Sequence, residues 1–317
     1  MKRFLMAALL ATAPFMASAQ AAAPTVHVVV PFPPGGPVDV LGRVLAQDFG
    51  EAGGQTFVVE NKAGAAGNIG TDAVAKAAPD GATLGIIPAG NIAVNPSLFP
   101  TLPYKASELA PVAMLATVEN VLVVNPAVPA RTVQELLALA AARPESVSFA
   151  SPGAGSQAHL AGELMALSGK VRMLHVPYKG IGPALNDLMG GQVTMMFGQM
   201  SSVLPLIRSG KLRAVGVASA QRSALLPEVP TVAEQGLPKF EAVSWYALMV
   251  PAATPAATVE RLHAASVRML AKPAIREKFT AMGMEPGKGT PQELAATIQS
   301  ETARWGEVIR VRNIKSD

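Results

Sequence analysis

Along this chain, short runs of apolar residues alternate with stretches in which apolar side chains recur every three or four positions. Val26 to Phe32 (VHVVVPF) is short and apolar, as expected of a strand buried on both faces. Pro33-Pro34-Gly35-Gly36 breaks it, and Pro37 suits a first helical position. Val38, Leu41, Val44, Leu45 and Phe49 then share one helical face, which ends at Gly50, Gly53 and Gly54. Further strands are expected at 56–60, 83–88, 121–125, 147–151, 171–177, 193–197, 212–219 and 243–250. Helices are expected after the capping-box pair Thr132 and Glu135, over 156–168, from Thr254-Pro255 to 271, and after Thr290 and Glu293 through Trp305. Thr231 and Glu234 cap a short turn closed by Gly236. The alternation of strand and helix, repeated about eight times, predicts an α/β protein with parallel sheets. The chain shows no fixed repeat and no long low-complexity linker, so two compact lobes joined by short crossings fit the pattern.

Composition narrows the chemistry. The 317 residues suggest two domains, and they contain no cysteine. That excludes disulfides, thiolate metal sites, cysteine nucleophiles and a lipid-modified N-terminal cysteine. The four histidines, His27, His159, His175 and His263, form no metal-ligand spacing, and no metal or cofactor is expected. The N-terminus has the three parts of a secretory leader: basic Lys2 and Arg3, an apolar run from Phe4 to Phe15, and the cleavage signal Ala17-Ser18-Ala19. Residues 1–19 are thus read as a removed signal peptide, and the mature protein as exported. Its apolar run is too short to span a membrane, which takes about 20 residues. Two of the four net positive charges leave with this leader, and no basic cluster with interleaved aromatics remains for nucleic acid.

Catalytic constellations are missing. No serine stands in GxSxG, no Walker loop is present, and Gly64, Gly67 and Gly70 form GxxGxxG, which reads as a turn followed by close helix packing. What remains are junctions where a strand runs through glycine into a helix. There the free N–H groups of a first helical turn face outward and suit an anion. The first is Phe32-Pro33-Pro34-Gly35-Gly36-Pro37-Val38-Asp39, with Gly35, Gly36, Val38 and Asp39 as candidate donors. Asp39 could equally serve the helix dipole. The second is Ser151-Pro152-Gly153-Ala154-Gly155-Ser156-Gln157-Ala158-His159, where Ser156 is either a ligand donor or a helix cap and His159 either a ligand group or a satisfied core imidazole. The third is Val176-Pro177-Tyr178-Lys179-Gly180. Donors without an assembled nucleophile suggest binding of a carboxylate, not turnover.

The segments PFPPGGPVDVLGRVLA, VVENKAGAAGNIGTDAVAKAAPDGATL, VPYKG, SGKLRAVGVAS, LPEVPTVAEQGLP and SWYALMVPAATP, in this order, resemble the exported substrate-binding proteins of tripartite tricarboxylate transporters, also called the Bug family. The resemblance covers almost all of the mature chain. It implies a two-lobed periplasmic binding protein fold (type II-like), α/β with mostly parallel sheets and a hinge of two crossings. One lobe would hold residues 24–122 and 241–317, the other 123–240, with the ligand cleft between them. The implied function is capture of a small organic carboxylate and its delivery to membrane permease subunits by a monomeric, non-enzymatic protein in the periplasm. A sensor role toward a two-component kinase is the alternative. The implied ligand residues are Phe32, Gly35, Gly36, Val38, Asp39, Ala89, Asn91, Ser151, Gly155, Ser156, His159, Tyr178 and the segment near Gly198. The chain departs from the family in having Val38 where a hydroxyl side chain is common, and Thr194 and Gly198 where Asp is usual. With no acid to pair an ammonium, burying one would cost several kcal/mol. The expected ligand therefore carries carboxylate but no amine: a di- or tricarboxylate, or an aromatic acid.

Overall fold

A computed structural model describes residues 25–144 and 146–316; the expected leader lies outside them. Six strands, β1 (Val26–Val30), β2 (Phe57–Asn61), β3 (Thr83–Pro88), β4 (Leu109–Val118), β10 (Ser244–Pro251) and β11 (Met284–Pro286), form one sheet in the order β11-β4-β10-β3-β1-β2. The other five, β5 (Asn120–Val124), β6 (Ser148–Ser151), β7 (Leu174–Pro177), β8 (Met195–Gln199) and β9 (Arg213–Val217), form a second sheet in the order β7-β6-β8-β5-β9. The uniformly apolar strands are buried as their composition demands: Val28, Val30, Leu84, Ile86 and Ile87 are inaccessible to solvent. Helices cover both sheets. In α1 (Pro37–Gly53) the buried side chains include Val38, Leu41, Val44, Leu45 and Phe49, the stripe legible in the sequence.

The sheets are mixed, where mostly parallel ones were expected. β1 runs parallel to β2 and β3, and β6 parallel to β7 and β8, but the pairs through β4, β5 and β10 are antiparallel. The reason is the crossing. A single residue, Glu119, separates β4 from β5, so the chain leaves one sheet and enters the other in one continuous run against its neighbours. This moves the change of sheet forward: Asn120, Val121 and Leu122, assigned from sequence to the first lobe, pair with β8 and β9 of the second sheet. The return passes through 218–243 and lies beside the outward crossing. Asn120 Nδ2 donates to Ala242 O at 2.6 Å, and Ala218 N donates to Asn120 O at 2.8 Å.

Among the elements not foreseen is β4, and α10 is longer than expected. β4, with Pro111 and several alanines, has little strand propensity of its own, yet it is sandwiched between β10 and β11. Pairing on both edges overrides that weak preference. α10 (Pro291–Arg312) runs on past Trp305 and packs both on β4 of the first sheet and on α5 (Gln157–Ser168) of the second layer. Its Thr290–Glu293 capping box forms as expected.

Candidate functional site

A cavity of about 550 Å³ opens between the two sheets. It lies past the carboxyl ends of β3 (Pro88), β6 (Pro152) and β8 (Gln199), next to the first residues of β10. This is where ligands sit in open α/β sheets, because strand ends leave a crevice and the following helix starts turn their N–H groups toward it. Two such starts face each other. From the first sheet come Pro88, Ala89, Gly90 and Asn91, leading into a π turn (Gly90–Val94) and α3 (Asn95–Leu98). From the second come Pro152 to Gln157, leading into α5.

The first-sheet side is braced from behind. Asn91 Nδ2 donates to Ala66 O (2.9 Å), Asn95 Nδ2 donates to Asn68 Oδ1 (2.6 Å), and the Tyr104 hydroxyl donates to Asn91 O (2.5 Å). Burial pushes the Tyr104 hydroxyl up to about 12, so it stays a donor. The GxxGxxG segment permits this brace. Gly67 lies at φ +86°, and a Cβ there would fall 2.7 Å from Asn91 Nδ2 and 2.9 Å from Phe32 Cε2. A Cβ on Gly70 would fall 2.6 Å from Pro31 Cα, the close helix packing expected of the motif.

On the second-sheet side, Ser156 caps α5 by accepting from His159 N at 3.3 Å and donates to Gly153 O at 2.7 Å. Gly155 N donates to His159 Nδ1 at 3.0 Å. His159 is buried, and its ring stacks on His175 with centroids 3.6 Å apart and planes 6° apart. Ser151 Oγ contacts His175 Nε2 at 2.7 Å and donates to Gly153 O. Burial, reinforced by the neighbouring His159, lowers His175 to about 4. Beyond His159, Glu163 contacts its Nε2 at 3.6 Å and pairs with Arg312 of α10. Burial pushes Glu163 upward, but the bonds from His159 and Arg312 outweigh it and hold the carboxyl below its usual range. The amides of this stretch that remain clear of these bonds are those of Ala154, Gln157 and Ala158; Ala154 and Gln157 line the cavity, and Ala158 does not.

Of the thirteen residues expected from sequence, Phe32, Ala89, Asn91, Gly155 and Ser156 line the cavity; the other eight do not. Gly35, Gly36, Val38 and Asp39 lie beyond Phe32. Asp39 is not free for a ligand: it accepts from Gly35 N (3.0 Å), Asn61 Nδ2 (2.9 Å) and both Arg43 Nε and Nη2, chiefly the last pair holding its carboxyl down at about 2. Gly35 N is therefore spent on Asp39. Ser151 and His159 act from beneath the loop. The Tyr178 hydroxyl donates to Asp187 at 2.8 Å, away from the lining. Gly198 is buried against α7 (Met200–Arg208), where any Cβ would collide with Val203 Cγ1. It is the next residue, Gln199, that reaches the cavity. Thr194, just before β8, bonds Ser148 and does not line the cavity.

The sequence reading missed a whole wall: Val94, Asn95, Leu98 and Phe99, with Ser244, Trp245 and Tyr246 of β10 and Ser316 of the C-terminal tail. The strand-to-helix change at 88–91 was a signal for the first group. Trp245 is held by its indole N–H, which donates to buried Glu301 of α10 at 2.8 Å. Among the described residues, no Asp, Glu, Lys, Arg or His lines the cavity, and no cluster of three metal-binding side chains exists.

Residues 41–314 match the model of the family described as "Tripartite tricarboxylate transporter family receptor". The chain is 43% identical over 312 residues to BugT of Bordetella pertussis, covering 95% of this chain and 96% of that one. Among solved structures it is similar to a TctC solute-binding protein from Polaromonas without ligand (27% identical, TM-score 0.81, 90% of this chain and 98% of that one). It also resembles an R. palustris protein with adipate (34%, TM-score 0.77, 92% and 98%) and MatC from Rhodopseudomonas palustris with bound malate (34%, TM-score 0.73, 90% and 98%). With two mixed sheets joined by paired crossings around a cleft, and with these matches along nearly its full length, the chain belongs to the tripartite tricarboxylate transporter receptor family of solute-binding proteins.

Proposed function

We propose that this protein captures a small organic carboxylate in the cavity between its sheets, in the periplasm, and delivers it to a tripartite membrane permease. One observation carries this reading. The cavity is lined by no charged side chain, yet two helix starts face each other across it, with the amides of Ala154 and Gln157 at one. Fixed backbone dipoles bind an anion without a countercharge and without shedding a tightly held water shell from lysine or arginine. The bound acids of the two R. palustris relatives, adipate and malate, support the ligand class. Ammonium-bearing ligands are disfavoured because no lining side chain pairs a cation. Of the sequence-derived residues, Phe32, Ala89, Asn91, Gly155 and Ser156 would touch ligand, joined by Gln157 and Gln199, while Ser151 and His159 would hold the loop in shape.

The test is a calorimetric and thermal-shift screen of small mono-, di- and tricarboxylates beside aspartate and glutamate. Binding raises the melting temperature by mass action. In Gln157→Glu, a new carboxylate at the first position of α5 should leave folding intact, since the helix dipole favours it there, yet reduce carboxylate affinity at least tenfold. Binding of amino acids alone, or unchanged affinity in Gln157→Glu, refutes the assignment.

A further inference from the structure

Resting on that reading, the lining of the same cavity specifies the body of the ligand. Its apolar wall consists of Phe32, Val94, Leu98, Phe99, Trp245 and Tyr246, supplied by three separate stretches of chain. The wall is rigid. Trp245 is fixed by its bond to Glu301, Phe32 lies against the Gly67 turn, and Leu98 presses on the Gly155 turn across the cleft. Of the polar side chains around it, those of Asn91, Asn95, Gln157, Gln199 and Tyr246 are already engaged. Asn91 and Asn95 donate inward to Ala66 O and Asn68 Oδ1. Gln157 Nε2 points to Val243 O at 3.5 Å, and the Tyr246 hydroxyl bonds Gln199. A ligand hydroxyl placed on this wall would lose its water without gaining a fixed partner.

We infer that the ligand is a hydroxyl-free carboxylate with a hydrocarbon body, an aromatic ring or an unbranched chain, and not a hydroxylated di- or tricarboxylate. A carboxylate at the start of α5 leaves the rest of the molecule against the wall, where each buried methylene or ring carbon adds affinity. Each unpaired hydroxyl costs about tenfold or more in affinity, the penalty of a desolvated polar group.

Matched pairs of acids that differ by one hydroxyl test this by calorimetry: succinate against malate, and phenylacetate against mandelate. The bare member of each pair should bind at least tenfold tighter, and affinity should rise from succinate to adipate. Phe99→Asn should lower affinity for the bare acids about tenfold, while Phe99→Leu, which keeps the wall apolar, should retain it and serve as the folding control. If malate or mandelate binds as tightly as its partner, or if Phe99→Asn binds the bare acids unchanged, the inference fails while the carboxylate-capture reading stands. If no acid of the panel binds, the reading itself falls.

Discussion

Gly155 and Leu98 meet across the cleft, and their contact yields a quantitative prediction. Gly155 lies at φ +71°, and a Cβ built on it would come well under the 3.0 Å that real Cβ atoms keep, against Leu98 Cδ2, with Cγ at 3.4 Å. Two costs follow for Gly155→Ala. An L-residue in the left-handed region costs about 1–2 kcal/mol. Forcing Leu98, itself buried, out of its place costs about 1–3 kcal/mol as overpacking. Together they come to roughly 2–5 kcal/mol, or a fall in melting temperature of roughly 4–20 °C at about 2–4 °C per kcal/mol. Leu98→Ala by itself costs about 2–4 kcal/mol for the cavity it leaves. The double variant removes the collision, so its loss should fall short of the sum by about 1–3 kcal/mol. Chemical denaturation of the four proteins, as a double-mutant cycle, measures that coupling. Additivity within about 0.5 kcal/mol would refute the contact.

Three further outcomes are expected. Asp39→Asn should destabilise the protein by about 1–2 kcal/mol at neutral pH, discounted because Arg43 is half exposed. Asp39 sits at about 2 when folded against 3.8 unfolded, so its contribution is complete above pH 3.8 and lost as pH falls through 2. A pH series of melting curves should show variant and parent converging near pH 2, and a constant gap would count against the network. His175, lowered from 6.5 to about 4, leaves the unfolded chain to take up a proton first as pH falls; stability should drop by about 2–3 kcal/mol between pH 6.5 and 4, and His175→Gln should flatten that slope. Arg312→Ala should cost about 2–3 kcal/mol, because buried Glu163 loses its cation on α10; Glu163→Gln/Arg312→Ala should recover part of it, and no recovery in denaturation curves would remove the ion pair from the account.

Much of the fold was legible because it depends on local pattern. The apolar strands, the α1 stripe and the Thr290–Glu293 cap state their element within a few residues, and the structure places them there. β4 was illegible, since its residues become a strand only through two neighbours contributed by distant parts of the chain. Of the residues at the glycine junctions, Phe32, Gly155 and Ser156 line the cavity, as do Ala89 and Asn91, which the family resemblance implied. Gly35 and Asp39 lie outside the lining and bond each other, a contact no spacing announces, and Gly198 has its α-hydrogen side against Val203. Trp245 and Tyr246 escaped notice because a buried strand reads the same whether or not one end borders a cavity.

The sequence by itself determined an α/β chain with glycine-rich strand-to-helix junctions, no thiol chemistry and few charges, because periodicity, capping and composition are written in consecutive residues. Only the tertiary structure decided which junctions face one another, how many backbone donors are spent holding loops, and that the wall between them is apolar. Those are properties of residues as far apart as Phe32, Leu98, Gln157 and Trp245, and their distances in space follow from the pairing of sheets and the crossing at Glu119.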